Sequence, residues 1–260
     1  MQNFKTITLN QNSGISWLAL NRPEVHNAMN AEMIAELTEV YKSFDDTNDR
    51  AVVLTGNGAS FCAGADLNYM KGIAEFGIKE NVEDGKRLAN LFKSIYNCPI
   101  PTIALIHGSA FGGANGLLAA CDIVIAEEDT IFAFSEVKLG IAPATIAPFV
   151  IKRIGEFGAK ELMMTGKRFR GKEAQKWNLV NHIYKSGEDE NPLNEIIKQF
   201  ESSAPGAVKE AKKLITSILG KDIEDGIEFT SELIAKLRAS DEGQEGMAAF
   251  LDKRKPKWKR

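Results

Sequence analysis

The sequence has little of what builds metal centres or disulfide frameworks. Its 260 residues include three cysteines (Cys62, Cys98, Cys121) and three histidines (His26, His107, His182), all far apart. No Cys-x-x-Cys pair occurs and no histidine stands at metal-ligand spacing, which excludes the common zinc patterns. An odd, widely spaced set of cysteines points instead to a reducing compartment. No apolar run approaches membrane-spanning length, and the opening Met1 to Lys5 shows no basic segment followed by an apolar one. The expectation is a cytoplasmic protein with no membrane partner. Neither sign of charge dominates: 32 Lys and Arg against 35 Asp and Glu leave a net charge of −3, with no global attraction to nucleic acid. Gly108, Gly112, Gly113 and Gly116 lack the Gly-x-Gly-x-x-Gly spacing of a dinucleotide site. A serine hydrolase is excluded as well, because the His107-Gly108 pair has no Gly-x-Ser-x-Gly elbow to accompany it.

What is present is ordinary globular material, 44% hydrophobic and 26% charged, in an order that changes halfway. Apolar segments flanking Gln11-Asn12-Ser13-Gly14 predict a β-hairpin. Asn30 stands where it can cap a helix carrying Met33, Ile34, Leu37, Val40 and Tyr41. Strand patterns at 51–55, 102–106 and 122–126 alternate with helical ones at about 82–96 and 113–120, an α/β plan. From 191 onward the periodicity is helical throughout. The expected division is therefore a core over 1–190 and a helical region over 191–260. Its apolar stripes exceed what one thin layer can bury, which predicts a homo-oligomer.

Two runs of small residues carry the chemistry. Ser60-Phe61-Cys62-Ala63-Gly64-Ala65-Asp66-Leu67 and Ala110-Phe111-Gly112-Gly113-Ala114-Asn115-Gly116 each follow a strand pattern and leave backbone amides bare. Brought together, such runs can aim two N–H donors at one oxygen atom, and so stabilise an enolate or a tetrahedral oxyanion of an acyl compound. Taken singly, either run could equally serve close packing. Glu136 lies among Phe132, Phe134, Val137 and Leu139, where a carboxylate is costly unless paired or catalytic; the alternative is an exposed carboxylate at a strand edge.

These residues resemble the crotonase superfamily of enoyl-CoA hydratases and isomerases. The resemblance rests on Phe61 to Leu67, His107 to Gly113 and Cys121-Asp122. It extends to Asn21 to Ala28 and to Gly246 to Lys255, and so covers essentially the whole chain. Asn68-Tyr69-Met70 and Phe134 to Pro143 look most like the bacterial 3-methylglutaconyl-CoA hydratases. The resemblance implies a spiral of repeated ββα units, a C-terminal helical trimerisation region, and assembly as a trimer or a dimer of trimers. It implies an oxyanion hole from the amides of Ala65 and Gly113, with Glu136 as the acid/base. It places coenzyme A against Val25, His26, Ala28, Ala63, Asp66, Leu67 and Asn68, with Phe250 and Lys253 of a neighbouring subunit completing the site. No separate cofactor and no metal are expected, since the acyl-CoA is itself the substrate.

One departure stands out. Hydratases of straight enoyl chains usually carry a second glutamate where this chain has Gly116, and Asn115 lies about 100° around the helix from that position. Glu136 would then work alone, or Gly116 would make room for a branched or acidic acyl group, or it would be a packing glycine. Hydration of a 2-enoyl-CoA such as 3-methylglutaconyl-CoA is the leading expectation. Double-bond isomerisation or decarboxylation through the same enolate comes next. The basic terminus Lys253 to Arg260 raises a non-enzymatic alternative, RNA binding with Trp258 stacking on bases.

Overall fold

The computed structural model describes residues 4–187 and 191–259. It begins with the expected hairpin, β1 (Ile7–Asn12) and β2 (Ile15–Leu20), in which Asn12 pairs with Ile15. The two turn residues, Ser13 and Gly14, both have positive φ (53° and 78°), as a two-residue hairpin turn requires. Helix α1 (Ala31–Ser43) follows, with the Asn30 side chain accepting the Met33 N–H at 2.9 Å. Then come β3 (Ala51–Gly56), α2 (Leu67–Ala74), α3 (Ile78–Tyr96), β4 (Thr102–Ile106), β5 (Ser109–Phe111) and α4 (Ala114–Ala120). They are followed by β6 (Ile123–Glu127), β7 (Ile131–Ala133), α5 (Ala147–Thr165), β8 (Arg168–Arg170), α6 (Gly171–Lys176) and β9 (His182–Tyr184). The chain closes with α7 (Asn191–Ser202), α8 (Pro205–Ile218), α9 (Ile223–Ala239) and α10 (Asp241–Leu251).

A six-stranded sheet runs in the order β1-β2-β3-β4-β6-β9, parallel except for the hairpin, and a small sheet runs β5-β7-β8. Apolar residues on both faces of the large sheet explain its nearly unbroken hydrophobic strands. Val52, Leu54, Ala104, Ile106 and Val124 face the main core with α1, α3, α4 and α5. Ala51, Val53, Ile103, Leu105 and Ile125 face the other way, where Leu193, Ile196, Ile197 and Phe200 of α7 cover them. Helix α10 packs on α9 and α8 as a further layer. Among the described residues no helix is long and apolar enough to cross a membrane.

Sheet alternation makes a spiral. β4 passes into β5 and α4; β6 passes into β7 and, after a 3₁₀ turn at Ser135–Leu139, α5. β3 makes the same turn with a single residue, because Cys62 bridges Ala110 in parallel before α2 begins. Helix α3 starts four residues earlier than its apolar period suggests, where the Glu80 carboxylate accepts the Gly77 N–H at 2.6 Å.

Candidate active site

The spiral brings the two small-residue runs together and sets Glu136 beside them. Cys62 and Ala110 pair across adjacent turns, and Ala65 and Gly113 each lie three residues beyond that bridge. In the next turn Ala110 pairs with Phe132, and Glu136 lies four residues beyond Phe132. Two successive turns thus carry amide donors at matching positions, and the third carries a carboxyl group one residue past the matching position.

Each donor belongs to a peptide whose carbonyl is held from behind. The Gly64 carbonyl, which shares its peptide with the Ala65 N–H, accepts the Met29 N–H at 2.7 Å. The Gly112 carbonyl, which shares its peptide with the Gly113 N–H, accepts the Asn115 N–H at 2.9 Å. Among the described residues neither the Ala65 nor the Gly113 N–H has an acceptor of its own, and neither residue is fully buried. Glycine is required at both preceding positions. Gly64 has φ 99° and lies so close to the Phe111 carbonyl that a Cβ would sit 3.0 Å from its oxygen; Gly112 has φ 52°.

Glu136 occupies the space beside Gly112, with Oε1 3.4 Å from where a Cβ on that glycine would stand. It lies in the 3₁₀ turn rather than at a strand edge, is half-buried, and its Oε2 is buried with no hydrogen-bond partner. Burial pushes its carboxyl above the ordinary glutamate range, only partly offset by its own backbone N–H. A carboxyl group beside a bare amide donor, with one oxygen unpartnered, is what a proton shuttle requires.

The segment expected to hold coenzyme A is tied to the loop that carries the Ala65 N–H. The Ala63 N–H donates to the His26 carbonyl at 2.9 Å, and Met29 bridges Ala65. Val25, His26, Leu67 and Asn68 are exposed beside it, while Ala28 is buried. Asp66 requires a correction: its side chain is committed to structure rather than free for a ligand. It caps α2 through the Asn68 and Tyr69 N–H groups and pairs with Arg22 at 2.9 Å. Burial raises its carboxyl, but these partners outweigh burial and hold it below the usual range. Asn27, fully buried with φ 55°, donates to the Asn57 and Ser60 carbonyls at 2.8 Å. Arg22 and Asn27 take no role of their own from the sequence, because they lie far from the run of small residues in the chain and only the fold brings them to it.

At Gly116 the structure fits the packing alternative rather than the one that makes room for substrate. A Cβ there would stand 2.5 Å from Ile146 Cγ2 and 2.6 Å from Phe92 Cζ, so the space a second glutamate would fill is already packed with apolar side chains. It is a packing glycine and opens no room for a branched acyl group. Phe250 and Lys253 make no hydrogen bond or ion pair with residues 25–28 or 63–68 among the described residues; Phe250 is 84% exposed. Trp258 is not presented for base stacking. Its indole N–H donates to the Ser202 carbonyl at 3.4 Å, its own carbonyl accepts Arg50 at 2.7 Å, and its ring lies against Gly246. Arg254 chelates Glu245 at 2.7 and 3.0 Å, so the basic terminus is folded back on the chain. The three cysteines are buried free thiols; burial pushes Cys62 and Cys121 up to about 12 and Cys98 up to about 11.

Comparison with known proteins agrees with this geometry. The family model for enoyl-CoA hydratase/isomerase matches residues 10–260. The chain is 32% identical over 252 residues to the short-chain-enoyl-CoA hydratase of Clostridium acetobutylicum, covering 96% of this chain and 95% of that protein. It is 30% identical over 273 residues to a peroxisomal Δ(3,5)-Δ(2,4)-dienoyl-CoA isomerase of Arabidopsis thaliana, covering 99% and 98%. The crystal structure of an enoyl-CoA hydratase from Shewanella pealeana superposes with a TM-score of 0.93 at 36% identity, over 98% of this chain and 96% of that one. The chain is an enzyme of the enoyl-CoA hydratase/isomerase family and has the crotonase fold.

Proposed function

We propose that this enzyme adds water across the double bond of a 2-enoyl-CoA, with Ala65 and Gly113 holding the thioester oxygen and Glu136 moving the proton. The half-buried Glu136 carboxyl beside the Gly112-Gly113 peptide, its Oε2 without a partner, carries this reading. Ionised Glu136 takes a proton from water as the water oxygen bonds to C3. The electron pair of the double bond moves to the thioester oxygen, where two N–H donors receive the developing charge. The protonated carboxyl then delivers its proton to C2 as the enolate collapses, leaving a 3-hydroxyacyl-CoA and the carboxylate restored. One group suffices because it acts first as base and then as acid.

The acyl group proposed is 3-methylglutaconyl, branched and acidic. With apolar Phe92 and Ile146 packed where a second glutamate would stand, no like charge at that position opposes an anionic acyl chain. Purified enzyme is expected to hydrate 3-methylglutaconyl-CoA faster than crotonyl-CoA; the reverse order removes this acyl assignment. Glu136→Gln should lower kcat by about 10²–10⁴-fold, measured as loss of the conjugated thioester absorbance. A near-wild-type rate would remove the base assignment. A single carboxyl also permits a second reading, double-bond isomerisation, in which Glu136 removes a proton at C4 and returns it at C2. Product analysis by mass spectrometry separates the two, since hydration alone adds the mass of water.

A further inference from the structure

We infer that Asn115 is a positioning residue for the Gly113 amide, acting through the Gly112 carbonyl of the same peptide unit. The inference rests on the proposed role of Gly113 as an oxyanion donor. Asn115 is fully buried in the first turn of α4, among apolar neighbours that would suit an alanine or a leucine. Its Nδ2 faces three carbonyls: Ala133 at 2.9 Å, and Ala110 and Gly112 at 3.3 Å each. Only the amide nitrogen can face them, because the opposite rotamer would turn Oδ1 toward three acceptors. The Oδ1 atom has no partner. A buried, half-satisfied amide costs stability relative to an apolar residue, so packing does not explain it.

The carbonyls it gathers explain it better. Ala110 ends the bridge to Cys62, Gly112 heads the oxyanion peptide, and Ala133 ends the strand that leads to Glu136. One side chain thereby fixes the first amide loop, the second donor and the approach to the proton shuttle relative to one another. At Gly112 the Asn115 side chain joins its own backbone N–H, so the carbonyl accepts two donors from behind. In a trans peptide the N–H points opposite the carbonyl, so anchoring that oxygen aims the Gly113 N–H outward, and donation to the oxygen polarises the N–H. The Ala65 donor obtains the same support from the Met29 backbone N–H, with the Cys62 thiol as a weak second donor to the Gly64 carbonyl at 3.8 Å.

The test uses a chromophoric thioester, 4-dimethylaminocinnamoyl-CoA, whose absorption moves to longer wavelength when its carbonyl is polarised. Wild-type enzyme should shift the bound band. Asn115→Ala should lose at least half of the shift and lower kcat about 10- to 100-fold, less than complete loss of a donor, with KM changed less than threefold. Asn115→Asp provides a second variant: its carboxylate repels the three carbonyls, while its protonated form can donate. Its band shift should therefore recover as pH falls. Asn115→Ala with the full wild-type shift and a kcat within twofold overturns the inference, even if its Tm falls. So does an Asn115→Asp shift that is independent of pH. Wild-type enzyme that binds the thioester with no shift refutes the oxyanion reading itself.

Discussion

Lys253 has the left-handed conformation (φ 53°) at the end of α10, where the Arg254 N–H bonds to the Ala249 carbonyl and the Lys253 N–H to the Phe250 carbonyl. That is the helix-ending arrangement in which glycine is favoured, so a lysine there gives up stability that glycine would keep. Lys253→Gly should raise stability by about 0.5 kcal/mol after the entropy glycine adds to the unfolded chain, measured by urea denaturation. If the lysine holds a coenzyme phosphate, the same variant should raise KM for the CoA thioester severalfold. A more stable variant with unchanged KM would leave Lys253 no role in binding. Glu136 allows a pH prediction. The rate should follow the ionised form and rise with pH through an apparent pKa above that of an ordinary glutamate. Because the folded carboxyl holds its proton to higher pH than the unfolded one, stability should fall as pH rises between those two values. In Glu136→Gln that slope should disappear from a Tm-versus-pH series, and a persisting slope would place the linkage elsewhere. Ala65, Gly113 and Glu136 were singled out through the family resemblance; the small-residue runs and a carboxylate among apolar neighbours by themselves left packing and a strand edge open. Asn115 was not singled out, since an amide in a helix says nothing of the three carbonyls that converge on it.

Helix α2 has no buried residue, yet the Ala65 donor sits just before its first turn. Two attachments hold it, the Asp66 cap with Arg22 at its start and a bond from the Tyr69 hydroxyl to Asp84 of α3 at 2.5 Å. Asp84 is buried and also pairs with Arg87 at 2.9 Å, while burial and Asp84 together keep the Tyr69 phenol protonated far above neutral pH. Tyr69 to Ala74 thus belong to a short helix latched to α3. Tyr69→Phe removes a hydrogen bond to a charged group and should cost about 1.5–3 kcal/mol. KM should rise as α2 loosens, and wild-type stability together with wild-type KM would show that the latch carries nothing. The long parallel strands and α1 could be read in advance because burial on two faces, or a capped apolar period, writes itself into composition. The three-residue strands β5, β7 and β8 could not, because so short a segment has no alternation to show and exists only through its partners. The role of Gly116 could not be read for the same reason. Its neighbours Phe92 and Ile146 come from α3 and from the loop before α5, and no local pattern names them.

At the scale of the whole molecule, the C-terminal helices are fastened to the core by polar clasps and leave much apolar surface uncovered. Arg50 donates to the Phe200, Glu201 and Ser203 carbonyls at the end of α7 and to Trp258, a cation at a helix C-terminus where the backbone dipole favours it. Lys212 of α8 reaches the Ile100 carbonyl and Asp122 in the core. Beyond these clasps, Ile215, Leu219, Ile223, Ile227, Phe250 and Leu251 are each at least 58% exposed on α8, α9 and α10 or at their ends. Apolar exposure spread over three packed helices is more than a solitary chain ordinarily tolerates, which fits the expectation of a homo-oligomer. The substitution Phe250→Asp separates the possibilities, because a residue 84% exposed contributes almost nothing to the fold of one chain. If copies of the chain bury Phe250, the variant should sediment as smaller species at concentrations where the wild type stays assembled. Its KM for the CoA thioester should rise as well, because the neighbour's contribution to the coenzyme site departs with the interface. A variant with unchanged sedimentation and unchanged KM would show that α10 faces water, and that the site on each chain is complete without its neighbour.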